Sequence, residues 1–172
     1  DGRLLGPNED GEIRIRGGNV MKGYFGLPEL TAEAFDQDGF LKTGDMGRFD
    51  SDGDLFLTGR TAELIISGGV NIYPVEIDEV LIRHPDIADA AVVGVPNEDW
   101  GEEIKAVVEL KPGIDRSAQT IQSILDFAKE RLPGFQRPRT VEFVDSLPRN
   151  AAGKVLRAQV RAPYWAGRSR SI

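Results

Sequence analysis

The chain contains 172 residues, and its 28 acidic side chains outnumber its 21 lysine and arginine side chains, giving a formal charge of −7. The two signs are interspersed, which disfavours the basic face that nucleic-acid binding requires. There is no cysteine and only one histidine, His84, which excludes a disulfide framework, a cysteine nucleophile, and a thiolate or multi-histidine metal site.

No apolar run approaches the length of about 18 residues that a transmembrane helix needs. No leader-like segment opens the chain, so we expect a cytoplasmic protein without a transmembrane segment. The chain starts at Asp1 without a methionine, from which we expect part of a longer polypeptide.

Short strands dominate the predicted structure of the first 60 residues. A strand is predicted at residues 11–16, where the run EIRIR alternates between apolar and charged side chains, as a half-buried strand does. Pro28 begins a short helix that extends to about Phe35. Three further strands are predicted around a hairpin turn at Asp50–Gly53: Phe40–Thr43, Met46–Phe49 and Asp54–Thr58.

The acidic turn at residues 50–54 has two interpretations. Asp50, Asp52 and Asp54 occupy alternate positions, like the first ligands of a calcium-binding loop. Such a loop needs a glutamate at its twelfth position and flanking helices, whereas here that position is Thr61 and the flanks are strands. We therefore favour an acidic hairpin turn without a metal.

The residues after position 61 predict a compact α+β unit. A strand at 63–67 precedes a helix that Pro74 begins and that ends at His84, because Pro85 cannot continue it. We interpret His84 as a partner of the negative end of the helix dipole.

Two strands form the centre of this unit. Residues 90–95 are uninterruptedly apolar, which indicates a strand buried on both faces. Residues 104–110 alternate, which predicts one face exposed to water. We interpret the connection Pro96–Gly101 as too long for a tight hairpin.

The last part of the chain contains two predicted helices and one strand. Ser117 is a candidate N-cap for a helix with one apolar stripe. The stripe comprises Ile121, Ile124, Leu125, Ala128 and Leu132. A strand at 141–144 and a polar loop at 145–153 follow, and a final helix begins at Lys154.

Three segments together resemble motifs of the adenylate-forming superfamily, which contains acyl- and aryl-CoA synthetases, adenylation domains of peptide synthetases, and luciferases. They are LKTGD at Leu41–Asp45, GRTAELIISGGVNIYPVEIDEV at Gly59–Val80, and LPRNAAGKVLR at Leu147–Arg157. Their order and spacing are similar to those of the family. The similarity covers nearly the whole chain but only the last third of a typical member.

The resemblance implies an α+β fold in two parts. Residues 1–60 correspond to the last part of the N-terminal domain, a β-rich segment of a partial barrel. Residues 61–172 correspond to the C-terminal AMP-binding lid domain, a mixed sheet flanked by helices. The turn at Gly59–Ala62 is the expected joint between them.

Lys154 is the candidate catalytic residue. It matches the terminal lysine motif of the family and follows a polar loop that ends in Gly153. A lysine carries a compact positive charge on a long stem, which suits a contact with two reacting anions. Without the resemblance, an exposed surface lysine is the simpler interpretation.

Asp45 and Arg60 are the candidate ATP- and AMP-binding residues. The resemblance implies that Asp45, in Thr43-Gly44-Asp45, accepts hydrogen bonds from the ribose hydroxyls, and that Arg60 lies near the ribose or the phosphates. The alternatives are a turn aspartate bonded to its own backbone and a surface ion pair of little energetic value.

Ser67, Gly68 and Gly69 resemble the loop that lines the tunnel for the thiol of coenzyme A. Glycine permits a backbone to approach a thin ligand closely, and a simple tight turn is the alternative. The lysine and spacing of a phosphate-binding Walker loop are absent here.

Ala62 occupies the position about which the family's lid is implied to rotate. Many relatives have aspartate or lysine there, so this chain lacks the usual side chain at the hinge. A hinge depends on backbone freedom more than on a particular side chain. We expect Ala62 to alter the balance between two lid orientations.

The resemblance implies that the parent protein is an acyl-CoA synthetase that uses ATP, Mg2+, coenzyme A and a small-molecule carboxylic acid. Its partner is the N-terminal domain of the same enzyme, and we expect the present chain alone to be inactive in an acid-dependent assay of pyrophosphate release. Two alternatives stay open. One is an adenylation domain that loads a carrier-protein thiol, and the other is a noncatalytic α+β interaction module.

Overall fold

The computed structural model describes residues 2–168 of the chain, which divides into two compact units, Asp1–Ala62 and Glu63–Ile172. Helices and antiparallel strands are combined in an α+β fold, as the sequence predicts. None of the helices formed by the described residues has the length and apolar character to cross a membrane.

The first unit is a three-stranded antiparallel sheet with one short helix. Its elements are β1 (Gly11–Ile15), α1 (Pro28–Ala34), β2 (Leu41–Phe49) and β3 (Leu55–Arg60), and the strand order is β1-β2-β3. The sheet is open rather than a closed barrel. Its apolar residues are largely exposed, including Leu55, Phe56 and Leu57.

The separate strands predicted at 40–43 and 46–49 are one continuous strand, β2, so that prediction is wrong. Gly44 adopts a positive φ of 72° without ending the strand. Pairing with β3 continues instead through a bulge between Met46 and Gly47. A Cβ on Gly47 would lie 2.6 Å from the carbonyl oxygen of Phe56, so glycine permits the close approach of the two strands.

The second unit is built on a five-stranded mixed sheet. Its strands are β4 (Ile65–Ser67), β5 (Val70–Ile72), β6 (Ile87–Asn97), β7 (Gly101–Leu110) and β8 (Thr140–Val144). The order β5-β4-β7-β6 is antiparallel, and β8 pairs with β7 in parallel. Its helices are α2 (Pro74–Leu81), α3 (Ala118–Arg131) and α4 (Arg157–Arg161).

Two apolar clusters cover the two faces of β6. Helices α2 and α3 pack on one face, where Val92 lies among Ile77, Leu81 and Ile124. The segment that follows β8 covers the other face, where Val93 belongs to a second cluster. The prediction of a strand buried on both faces is confirmed, as is the N-cap of α3, where Ser117 Oγ accepts a hydrogen bond from the Thr120 backbone at 3.2 Å.

The connection between β6 and β7 is a tight hairpin, contrary to our prediction. Asn97 pairs with Gly101, so only three residues connect the strands. The side-chain oxygen of Asn97 accepts hydrogen bonds from the backbone N–H groups of Asp99 and Trp100, each at 3.0 Å. This side-chain cap compensates for backbone groups that the turn leaves unpaired.

The second face of β7 is largely covered rather than exposed to water, so this prediction is also wrong. Val107 packs into the second cluster, and the Lys105 side chain on the same face is only 17% exposed. The Lys105 ammonium lies 5.2 Å from the centre of the Tyr164 ring. The C-terminal segment supplies this cover, and its position could not be inferred from the alternation within residues 104–110.

His84 lies beyond α2, which ends at Leu81, and its side chain is buried. Its Nδ1 accepts a hydrogen bond from the Asp86 backbone at 3.2 Å, and its Nε2 lies 3.1 Å from Ser123 Oγ. Burial lowers the pKa of the imidazole. The neutral ring therefore joins the chain to α3, and the predicted role of a cation at the helix dipole is wrong.

Candidate functional site

Lys154 lies on an exposed turn that its neighbours hold in a defined conformation. The Asn150 side-chain oxygen accepts hydrogen bonds from the backbone N–H groups of Ala152 and Lys154, at 3.0 and 2.9 Å. The Asn150 N–H donates to the Lys154 carbonyl at 2.9 Å, and Gly153 closes the turn with a φ of 78°. The turn therefore fixes the Lys154 backbone and leaves its side chain exposed.

Arg149 connects this turn to the rest of the second unit. Its guanidinium donates to the Gly153 carbonyl at 2.8 Å and forms an ion pair with Asp89 on β6. On the other side of the turn, Val155 forms a bridge with Arg149. Lys154 thus precedes a bridged residue and not a helix: the predicted helix start at 154 is wrong, because α4 begins at Arg157.

The fold brings Asp45 and Arg60 together on paired strands of the first unit. Their Cα atoms are partners in the β2–β3 register, and Arg60 Nε lies 2.9 Å from Asp45 Oδ1. Thr43 Oγ1 accepts a hydrogen bond from the Asp45 backbone at 3.1 Å. The side chains are 32% and 52% exposed, so both remain accessible to a ligand.

Ser67, Gly68 and Gly69 lie in the hairpin between β4 and β5. Ser67 pairs with Val70, and the two glycines between them have positive φ values of 57° and 79°, which is the two-residue turn that glycine favours. The Gly68 N–H donates to the Trp100 carbonyl at 2.9 Å. A Cβ on Gly68 would lie 2.6 Å from the indole ring of Trp100.

Ala62 lies in a short 3-10 turn, Thr61–Glu63, and is exposed. The boundary between the two compact units falls directly after it. The backbone at this position belongs to neither a long helix nor a strand.

The acidic turn at 50–54 is stabilised by its own backbone. Asp50 Oδ1 accepts hydrogen bonds from the N–H groups of Asp52 and Asp54, each at 2.9 Å. No group of three or more acidic or histidine side chains suited to a metal ion occurs within residues 2–168.

A buried network centred on Arg157 is not evident from the sequence. This side chain contacts Glu63 and Asp78, which lie 94 and 79 positions earlier in the chain. Within the motif around Lys154, Arg157 looks like an ordinary basic residue near a helix start. No local spacing indicates its partners, because the fold alone brings these segments together.

The second unit is thus a small α+β domain. It carries an exposed lysine on a turn held by hydrogen bonds, and a hairpin with two glycines. Residues 76–154 match the family described as the AMP-binding enzyme C-terminal domain. Residues 76–154 therefore form a domain of this family, which confirms the resemblance to the adenylate-forming superfamily predicted from the three motifs.

Relatives with known names support this assignment. A 2-succinylbenzoate–CoA ligase of Geobacillus kaustophilus is 45% identical over 161 residues, which are 94% of this chain and 32% of that protein. A fatty acid–[acyl-carrier-protein] ligase, ScoC, of Streptomyces coeruleorubidus is 40% identical over 172 residues, which are 100% of this chain and 32% of that protein. The chain therefore spans about a third of the length of the curated relatives it matches.

A solved relative has the same fold. The o-succinylbenzoate CoA synthetase MenE from Bacillus subtilis, in complex with its acyl-adenylate intermediate, superposes with a TM-score of 0.83 and 42% identity. The match covers 93% of this chain and 32% of that one.

Proposed function

We propose that the protein carrying this chain is an acid–thiol ligase of the acyl-CoA synthetase type. In the first half-reaction, a carboxylate oxygen attacks the α-phosphorus of ATP, with Mg2+ on its phosphates, and pyrophosphate leaves. In the second, the sulfur of coenzyme A attacks the acyl carbon and AMP leaves. The motif match around Lys154, together with its exposed position on a braced turn, is the observation that carries this proposal.

Lys154 is the catalytic residue of the first half-reaction. Two anions, the carboxylate and the α-phosphate, must approach each other, and charge builds up on the phosphate oxygens as the new bond forms. An ammonium placed against both anions stabilises this transition state. Among residues 2–168, no carboxylate lies within ion-pair distance of the Lys154 ammonium, so the ammonium is available to such ligands.

Asp45 and Arg60 bind the nucleotide in this proposal. The Asp45 carboxylate accepts hydrogen bonds from the ribose hydroxyls, while the adjacent Arg60 guanidinium is close enough to orient it. The guanidinium also supplies positive charge for the phosphates. Their shared position on paired strands favours one joint binding role over two unrelated surface charges.

The hairpin at Ser67–Gly69 lines the path of the thiol arm. Neither glycine presents a side chain, so the backbone can approach an extended ligand. Residues that bind the carboxylic acid lie in the N-terminal domain of the same protein. We place the enzyme in the cytoplasm, where its substrates ATP and coenzyme A are available.

The decisive experiment replaces Lys154 with alanine in the full-length protein. Loss of a charge that stabilises the transition state is expected to lower the rate of acid-dependent pyrophosphate release by about 10²- to 10³-fold. Lys129→Ala is the matched control, because Lys129 is an exposed lysine on α3, away from the motif. An unchanged rate in Lys154→Ala would favour the noncatalytic interaction module.

A second candidate acceptor is the thiol of a carrier protein, favoured by the similarity to a fatty acid–[acyl-carrier-protein] ligase. The two acceptors are distinguished by offering the enzyme-bound acyl-adenylate either coenzyme A or a carrier protein with its thiol arm attached. Faster AMP release with coenzyme A supports the synthetase. Faster release with the carrier supports the alternative.

A further inference from the structure

Arg157 joins three separate elements of the second unit through one buried guanidinium. Its Nε donates to Glu63 Oε2 at 3.0 Å, its Nη1 to the Val92 carbonyl at 2.7 Å, and its Nη2 to Asp78 Oδ2 at 2.7 Å. Glu63 ends the 3-10 turn, Asp78 lies on α2, and Val92 lies on β6. Only 11% of the Arg157 side chain is exposed.

Each of the three guanidinium nitrogens of Arg157 has a hydrogen-bond partner in this network. A buried guanidinium is costly unless its donors are paired, and here each contact is short and charge-assisted or directed to a carbonyl. Asp78 Oδ1 accepts a further hydrogen bond from the Val92 backbone at 2.7 Å. Burial raises the pKa of Asp78 to about 6 against the lowering effect of Arg157, so the carboxylate is mostly ionised at neutral pH.

The turn that carries Lys154 is followed in the chain by Arg157 after only two further residues. The Leu156 N–H donates to the Pro148 carbonyl at 2.8 Å, and Val155 bridges to Arg149. These contacts close residues 148–156 into a small loop that ends next to Arg157. The loop is thus held at two places, by the ion pair of Arg149 with Asp89 and at its C-terminal end, where the chain continues into Arg157.

At its other end, the network holds the start of the second unit. Glu63 directly follows Ala62, at the boundary between the two units. Its contact with Arg157 crosses 94 positions of the chain. This ion pair joins the first residue after the junction to the residue that follows the loop bearing Lys154.

We propose that Arg157 is a positioning residue that, through Glu63, sets the orientation of the Lys154 turn relative to the junction at Ala62. Any change of backbone direction at Ala62 is then transmitted to Lys154 through a rigid connection. The catalytic consequence rests on the function proposed above, whereas the mechanical coupling does not.

Glu63→Ala in the full-length protein tests the catalytic consequence. Because small misplacements of a catalytic group are costly, we expect a fall of about 10- to 100-fold in the rate of adenylate formation. Glu63→Gln should lose less, since an amide oxygen still accepts the Nε hydrogen bond. Glu130→Gln is the matched control, because it alters an exposed ion pair with Arg131 on α3.

A double-mutant cycle separates positioning from general stability. If Glu63 acts through Lys154, Glu63→Ala should have little further effect on the residual rate of a Lys154→Ala enzyme. Additive losses in the cycle would overturn the proposal.

Amide hydrogen exchange tests the coupling without any activity. In Glu63→Ala, residues 150–156 should exchange faster than in the wild type, while α3 should be unchanged. Unchanged exchange at 150–156 would show that the coupling is absent. A wild-type enzyme without adenylation activity would disprove the proposed function instead, and the exchange measurement would still decide this inference.

Discussion

Burial separates the roles of Lys154 and Arg157, although the two residues lie three positions apart. Lys154 is exposed on a turn, whereas Arg157 is enclosed by two carboxylates and a carbonyl. A buried charge must be paired to be tolerated, while an exposed one keeps its freedom to meet a ligand. The motif therefore combines a group suited to chemistry with a group suited to holding it in place.

Ala62 provides a test at the residue scale. We expect Ala62→Asp in the full-length enzyme to change the rates of adenylate formation and thioester formation by different factors, because a new charged side chain at the junction shifts the balance between two lid orientations. Both half-reactions are measured separately under single-turnover conditions.

The matched control for this substitution is Ala32→Asp on α1, which adds the same charge at another exposed alanine. Equal changes in both half-reactions of Ala62→Asp would eliminate the hinge hypothesis.

At the scale of elements, the hairpin between β4 and β5 offers two glycines with the same backbone requirement but different surroundings. Both have positive φ, so alanine costs about 1 kcal/mol or more at either position. Only at Gly68 would the new methyl group meet Trp100, while at Gly69 nothing lies within 4 Å. The pair therefore separates backbone strain from crowding.

We expect Gly68→Ala to impair thioester formation more than Gly69→Ala does. The new methyl group and the indole of Trp100 cannot occupy the same space, so the tip of the β4–β5 hairpin must shift. Adenylate formation should change little in either variant. Trp100→Ala in the Gly68→Ala background should recover part of the loss. Equal effects of the two glycine substitutions on thioester formation would contradict this expectation, whatever their effect on stability.

Two of the wrongly predicted elements, β2 and the β6–β7 connection, share a cause. Gly44 predicts the end of a strand, yet β2 continues because its partner strand remains paired. The segment after Pro96 predicts a long connection, yet Asn97 closes a hairpin there. In both places, hydrogen bonds that stabilise the paired strands and their turn outweighed the conformational preference of a single glycine or proline.

At the scale of the molecule, the two units differ in how they bury apolar residues. The second contains two clusters on either side of β6. In the described part of the first unit, only Gly47 and Thr58 are buried. The sheet of the first unit therefore supplies little hydrophobic stabilisation of its own, as small sheets without a covering layer generally do.

The stability of the second unit should depend on pH through His84. Burial lowers the pKa of this imidazole from its ordinary value of 6.5, with Arg131 and Lys111 acting in the same direction and Asp86 opposing them. The unfolded state then binds the proton more tightly than the folded state does. The contribution of the neutral His84 to the free energy of unfolding is therefore fully present above about pH 6.5 and is lost as the pH falls. Urea unfolding between about pH 7.5 and pH 5 measures it.

Asp78, whose raised pKa of about 6 acts in the opposite sense over this range, is common to both proteins. In His84→Phe we therefore expect the unfolding free energy to fall less on acidification than it does in the wild type, because the titrating ring is gone while an aromatic ring remains beside Phe127. Ser123→Ala is the control, since it removes one hydrogen-bond partner and keeps the histidine. A slope in His84→Phe as steep as in the wild type would show that other groups control the loss.

The sequence by itself determined the superfamily, the α+β class, and most helices and strands of the second unit, because motif spacing and hydrophobic periodicity are local properties. It also singled out Lys154, Asp45, Arg60 and the glycine hairpin, whose roles stay predictions. Tertiary structure alone decided the pairing of Asp45 with Arg60, the burial of His84, and the network that joins Arg157 to Glu63 and Asp78. These depend on contacts between segments far apart in the chain, and pairing, burial and charge compensation exist only once the sheet and its covering segments have assembled.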